Sequence, residues 1–227
     1  MPDIILPGSA GRIEARYQRQ KAPGAPMALV LHPHPQFGGT MNNPLVYDLF
    51  HMFNALGCTT VRFNFRGVGR SQGSFDNGSG ELSDAAAVLD WMNTLYPNPS
   101  NVWVCGISFG AWIGMQLLMR RPEIESFISV APPANLYDFT FLAPCPSSGL
   151  ILQGDQDSVV PVDSVQKLVT KLSHQRDIKI DFRKIPGADH HFADRVDALV
   201  THVDGYIGNH TGATSKPRTA SQGRGTR

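Results

Sequence analysis

Long apolar runs are missing from this chain. None of the 227 residues falls in a stretch near the length of about 18 that a membrane-crossing helix needs, so no span and no membrane partner are expected. Cysteine is scarce. Cys58, Cys105 and Cys145 are an odd set too small for a disulfide framework, and they suit a reducing compartment. Residues 1–6 have neither a basic segment nor an apolar core of signal-peptide type, so a cytoplasmic location is expected. Net charge is nearly absent at +1, but it is unevenly spread. All 19 acidic residues precede position 209, while Lys216, Arg218, Arg224 and Arg227 follow it. The body is therefore slightly acidic and has no general attraction for nucleic acid. No G-x-G-x-x-G opens the first strand–helix unit and no P-loop lysine is present, so no nucleotide cofactor is expected.

What is present is a 41% hydrophobic chain of a length suited to one sizeable domain. Residues 1–20 read as two short strands around the turn at 7–11. Apolar strands follow at 27–31, 59–65, 102–107, 127–131, 149–153 and 178–182, and amphipathic helical patterns alternate with them. Asn43-Pro44 has the cap-then-proline order of a helix start, and Gly57 closes that helix. A last helical stripe runs through Phe192, Val196, Leu199, Val200, Val203 and Ile207. This alternation implies an α/β fold: a mostly parallel central sheet of about eight strands, an antiparallel N-terminal hairpin, and helices on both faces. The domain is expected over 1–208. Residues 209–227 lack apolar periodicity and are expected to form a disordered basic tail.

The stretch Val102-Trp103-Val104-Cys105-Gly106-Ile107-Ser108-Phe109-Gly110 carries the most chemistry. A buried-strand run ends in G-x-S-x-G and feeds a helix, the sequence form of a nucleophile elbow. The turn is sharp, and a Cβ at Gly106 or Gly110 would collide with neighbouring backbone. Ser108 would then stand clear of the sheet beside the positive end of a helix. A serine hydroxyl needs a base, and the base needs an acid to orient it. Two later turns offer these groups: Gly154-Asp155-Gln156-Asp157 and Gly187-Ala188-Asp189-His190-His191. Both follow apolar strands, and the chain order is serine, acid, histidine. Asp155 and Asp157 are the competing acids, and His190 and His191 the competing bases.

An oxyanion hole requires two N–H donors. Phe109 is the natural first. The second is expected in the loop after the 27–31 strand, from His34, Gln36 or Phe37, with Gln36 favoured. Pro33 and Pro35 have no N–H to give. His32 and His34 flank one proline without a carboxylate beside them, so no metal site is expected and a loop-ordering role is read for them. Arg66 and Arg70 are read as ordering the glycine-rich loop at 67–80.

Over residues 1–208 the chain resembles the α/β-hydrolase superfamily. More narrowly, it resembles a small, lid-poor bacterial subfamily of predicted serine hydrolases. The resemblance rests on the G-I-S-F-G elbow, His32-Pro33-His34-Pro35 with residues 38–43 (GGTMNN), residues 64–73 (NFRGVGRSQG), and the two turns above. It implies Asp157, the last residue of G-x-x-D, as the acid and His190, the last of G-x-x-H, as the base. Asp155 and Asp189 are then turn-ordering residues. Many relatives insert a helical lid after the strand that follows the nucleophile helix. Here that connection is only 132–148 and holds four prolines, so the lid is minimal and the site open. An open site favours small acyl esters or thioesters, with Tyr137, Phe139, Phe141 and Leu142 on the acyl side. The alternatives are a peptidase or amidase with the same triad, and a non-catalytic binding protein. The sequence does not state an oligomeric state.

Overall fold

Strands β1 (Asp3–Gly8) and β2 (Gly11–Gln18) pair as the expected antiparallel hairpin in the computed structural model, which describes residues 3–211. β2 runs antiparallel to β4 (Thr59–Phe63) and so joins the hairpin to a parallel set. That set comprises β3 (Met27–Leu31), β4, β5 (Val102–Ile107), β6 (Ser126–Val130), β7 (Gly149–Gly154) and β8 (Ile180–Ile185). The spatial order is β1-β2-β4-β3-β5-β6-β7-β8. From β3 the chain steps outward to β4 and then returns to β5 on the other side of β3. Connections therefore diverge between β3 and β5, and the carboxyl ends of those two strands open a crevice where ligands bind in such sheets.

Alternation along the central strands divides the core in two. Leu29, Leu31, Val102 and Val104 face α2 (Ser79–Leu95), α3 (Phe109–Leu118) and α4 (Val162–Ser173). Ala28, Val30, Trp103 and Cys105 face α1 (Pro44–Ala55) and α5 (Val196–Thr211). Strands buried on both faces give the continuous apolar runs seen in the sequence. β8 lies at the sheet edge and is only partly buried along most of its length, which explains its alternating pattern.

Helix ends follow local chemistry. The Asn43 side chain accepts from the Leu45 N–H at 3.0 Å, Pro44 occupies the first turn, and Gly57 leaves α1 at φ +87°. The Glu81 carboxylate accepts from the N–H groups of Gly78 (2.7 Å) and Asp76 (2.9 Å) and so starts α2. The last helix departs from expectation, because it begins at Val196 rather than at Phe192. The Asp189 carboxylate accepts from the N–H groups of His191 and Ala193 and holds a turn there, with Phe192 at φ +52°. Phe192 is fully buried all the same, so its apolar character marks the core without marking the helix. α5 continues to Thr211, and the rest of the tail expected from Asn209 lies outside the described residues. Among the described residues, no helix is long and apolar enough to cross a membrane.

Candidate active site

Ser108 sits between β5 and α3 at φ +52°, ψ −118°, a conformation that side chains other than glycine rarely adopt. Both ends of the turn hold it there: the Ser108 N–H donates to Val130 O at 2.8 Å, and its carbonyl accepts from the Ala111 N–H at 2.8 Å. The expected glycine crowding is present. A Cβ on Gly106 would run into the Gly110 carbonyl, and one on Gly110 would meet the carbonyl oxygens of Leu31 and His32. The elbow thus packs directly against the end of β3.

The turns after β7 and β8 bring Asp157 and His190 to the serine. His190 Nε2 lies 3.1 Å from Ser108 Oγ, and His190 Nδ1 lies 2.8 Å from Asp157 Oδ2. The Asp157 side chain is fully shielded from solvent. Burial alone would raise its pKa. The bond to His190, the Val160 N–H at 2.8 Å and the Gln153 amide at 2.9 Å outweigh burial and hold the carboxyl below its usual range. The Val159 N–H donates to the same oxygen as Val160, at 2.9 Å. Asp157 is thereby fixed as an anion facing the imidazole. Asp155 is placed elsewhere: it accepts from the Gly187 N–H at 2.7 Å and ties the acid turn to the histidine turn. His191 is exposed, and Asp189 holds its N–H.

The loop after β3 is organised by its two histidines. His32 is fully buried, accepts from the Phe65 N–H through Nε2 at 3.0 Å, and therefore donates from Nδ1 to Pro33 O at 2.6 Å. Burial lowers its pKa to about 4, so it is neutral. The structure places Gln36 differently from the expectation. The Gln36 N–H donates to His34 Nδ1 at 3.2 Å, the Phe37 N–H donates to His34 O at 3.1 Å, and Gln36 does not line the cleft at Ser108. The reason is a short 3₁₀ turn at Pro35–Phe37 that uses both N–H groups internally. His34 lines the cleft, and its own N–H has no acceptor among the described residues.

Ser108 and His190 open into a cleft of about 690 Å³, whose walls include Pro33, Phe37, Leu136, Tyr137 and Val159. Phe37, Leu136 and Val159 are exposed at its mouth. The connection from β6 to β7 contributes only a three-residue 3₁₀ turn, Thr140–Leu142, and among the described residues no long helix of that connection covers the serine.

A family model for the X-Pro dipeptidyl-peptidases (S15 family) matches residues 11–206. The chain belongs to that family. It is 52% identical over 211 residues to an uncharacterized protein, RP471, of Rickettsia prowazekii, covering 91% of this chain and 89% of that protein. Among solved structures, the protein of unknown function ATU1826 from Agrobacterium tumefaciens is 57% identical with a TM-score of 0.91, covering 96% of this chain and all of that one (100%). XC6422 from Xanthomonas campestris, a serine hydrolase of α/β type without a lid, is 31% identical with a TM-score of 0.85 over 94% and 96% of the two chains. The lysophosphatidylserine lipase ABHD12 of Xenopus tropicalis is 24% identical over 92% of this chain, which spans only 64% of that longer protein. The α/β-hydrolase fold is thus common to the chain and its solved neighbours.

Several supports of this S15-family site were not singled out from the sequence. Gln153, buried at the end of β7, donates to Asp157 and to Val160 O, and a lone polar residue in an apolar strand was its only signal. Glu14 on β2 accepts from Asn64 Nδ2 and the Arg70 N–H, while Asn64 Oδ1 accepts from the Met41 N–H. Arg62, fully buried beneath Tyr47 and Phe50, donates to Met41 O. Together these bonds pin residues 39–43 and 64–71 to the hairpin. Arg66 orders the glycine-rich loop, as read from the sequence, through a two-point pair with Asp84 at 2.8 and 3.0 Å.

Proposed function

We propose that the chain hydrolyses small acyl esters, thioesters included, with Ser108 as nucleophile, His190 as base and Asp157 as the orienting acid. The observation that carries this reading is the continuous hydrogen-bond path from Ser108 Oγ through His190 to a buried, ionised Asp157. Ser108 Oγ attacks the ester carbonyl carbon as its proton passes to His190 Nε2. The carbonyl oxygen gains the negative charge and is held by the Phe109 N–H, free in the first turn of α3, and by the His34 N–H, which replaces Gln36 as the second donor. The intermediate collapses, the C–O bond to the alcohol breaks, and His190 returns the proton to the leaving oxygen. A water molecule then attacks the acyl carbon and gives a proton to His190; as the bond from that carbon to Ser108 Oγ breaks, His190 passes the proton to Oγ, and the acid is released. His190 keeps its Nδ1 proton throughout, donating it to ionised Asp157, which stabilises the imidazolium.

The apolar cleft walls suit an acyl group, and the open mouth suits substrates that need no enclosing lid. ABHD12, a lipase, is an ester-directed relative in support. The three cysteines are unpaired and buried, which supports a reducing, cytoplasmic setting. The family name favours a second reading, release of X-Pro dipeptides. Such substrates carry a free ammonium two residues from the scissile bond, which calls for a carboxylate partner. Among the described residues that line the cleft, none is Asp or Glu.

The deciding experiment treats wild type and Ser108→Ala with a fluorophosphonate, maps the adduct by mass, and assays p-nitrophenyl butyrate beside Ala-Pro-p-nitroanilide. The expected result is one adduct on Ser108, ester turnover that falls by several orders of magnitude in the variant, and little anilide cleavage. Equal ester turnover in a folded Ser108→Ala would refute the assignment, and preferred anilide cleavage would move it to the peptidase reading.

A further inference from the structure

A second cavity, of about 590 Å³, lies beside the Ser108 cleft between the β6–β7 connection and α4. Tyr137 lines both. Its ring centroid lies 4.4 Å from that of Trp112 and 5.8 Å from that of Phe109, so the wall between the cavities is braced by the helix that carries the elbow. One face of α4 forms the far side. Leu168 and Leu172 give it a buried apolar floor, and Lys167 and Lys171 stand exposed above them. Neither lysine has a carboxylate at ion-pair distance among the described residues. Four residues apart on one helix face, the two ammonium groups gather positive charge above the apolar floor. The one carboxylate lining the cavity, Asp138, is engaged by the Thr140 N–H (2.8 Å) and hydroxyl (2.7 Å), and beyond ion-pair distance it also attracts Lys171, so a bound anion must compete with it for that lysine.

These features fit an apolar chain that ends in an anion. We propose that this cavity is an anion-recognition subsite, which selects esters whose chain passes Tyr137 and ends in a carboxylate or phosphate held by Lys167 and Lys171. The proposal rests on the ester-hydrolase reading above. It deepens that reading, because a shallow, lidless cleft has few groups of its own with which to choose a substrate. Lysine suits the task, since an ammonium on a flexible stem acts as a point charge and can follow anions on chains of slightly different length.

The test is a series of p-nitrophenyl monoesters of dicarboxylic acids, succinate to suberate, each compared with the neutral acyl ester of equal length. At low salt, at least one ω-carboxy ester is expected to exceed its neutral partner tenfold or more in kcat/KM. That preference should shrink as salt is added, collapse in Lys167→Ala/Lys171→Ala, and return in the double arginine variant. Lys179→Ala, outside both cavities, should keep it. Butyryl esters of ω-hydroxycarboxylates place the anion on the alcohol side, and a lysine-dependent preference there would support the subsite and locate the charge. Indifference to the anion at every length, or an equal fall of neutral and anionic turnover in the alanine variant, would overturn the proposal. If wild type turns over no ester, titration calorimetry with suberate and hexyl phosphate still decides the subsite. Heat that vanishes in the double alanine variant keeps it while the ester reading fails, and no heat with wild type removes it as well.

Discussion

At the scale of single residues, His32 is the group whose chemistry reaches furthest beyond its own position. It joins the two motif loops by accepting from Phe65 and donating to Pro33, and it can do both only while neutral. Its burial lowers the pKa from 6.5 to about 4. The unfolded chain therefore takes up a proton near pH 6.5 that the native protein refuses until about pH 4. Between those values the unfolded state binds more protons, so stability falls as the pH falls, by up to roughly 3 kcal/mol across the window. Asp157, with its folded pKa depressed, adds a further loss only at lower pH, as it becomes protonated. Urea midpoints measured at pH 7.5 and pH 4.5 should converge in His32→Gln, whose amide keeps an acceptor and a donor but does not titrate. An unchanged pH slope in that variant would show that the acid sensitivity arises elsewhere. Side-chain identities of this kind were legible in the sequence: serine, histidine and the two competing acids all stood in their motifs. The direction of the Gln36 N–H was not legible, because a backbone N–H is aimed by its turn. Here the His34 ring itself takes up that N–H, and residue types do not record that.

At the scale of elements, strand order, the hairpin, the capped start of α1 and the elbow could all be read from apolar period and turn residues. The start of α5 could not. Burial and helical phase coincide at Phe192, and only the Asp189 hydrogen bonds separate them. Arg66 and Asp84 join the loop after β4 to the first half of α2 with little solvent contact. Arg66 also donates from its backbone N–H to Asp84 at 3.0 Å, so one carboxylate satisfies three donors. Asp84→Ala leaves a buried guanidinium and a buried N–H without that partner. It should destabilise the fold by about 3 kcal/mol or more, read as a lowered urea midpoint with an unchanged slope. A loss under about 0.5 kcal/mol would mean that water or Asp76 replaces Asp84 without difficulty.

At the scale of the whole molecule, one sheet serves two cores, and the reactive crevice opens where the strand order reverses between β3 and β5. Among the described residues, the β6–β7 connection contributes a single 3₁₀ turn beside the cleft and no helical lid. Turnover of a sparingly soluble ester should therefore rise smoothly through its solubility limit. An abrupt increase at that limit in a concentration series would point to a covering segment that opens on an interface. Sheet topology also separates the reactive groups along the chain. Ser108 precedes His190 by 82 residues, and the turn that presents His190 packs Phe192 against the same core as α5. In the proposed mechanism the nucleophile is thus made long before its base during synthesis, and the turn that bears the base shares its core with α5, which packs on α1 and Trp103. By that mechanism Ser108 stays a plain alcohol until His190 is seated beside it. Reactivity at Ser108 would then report that the chain has been read through at least to the turn that carries His190.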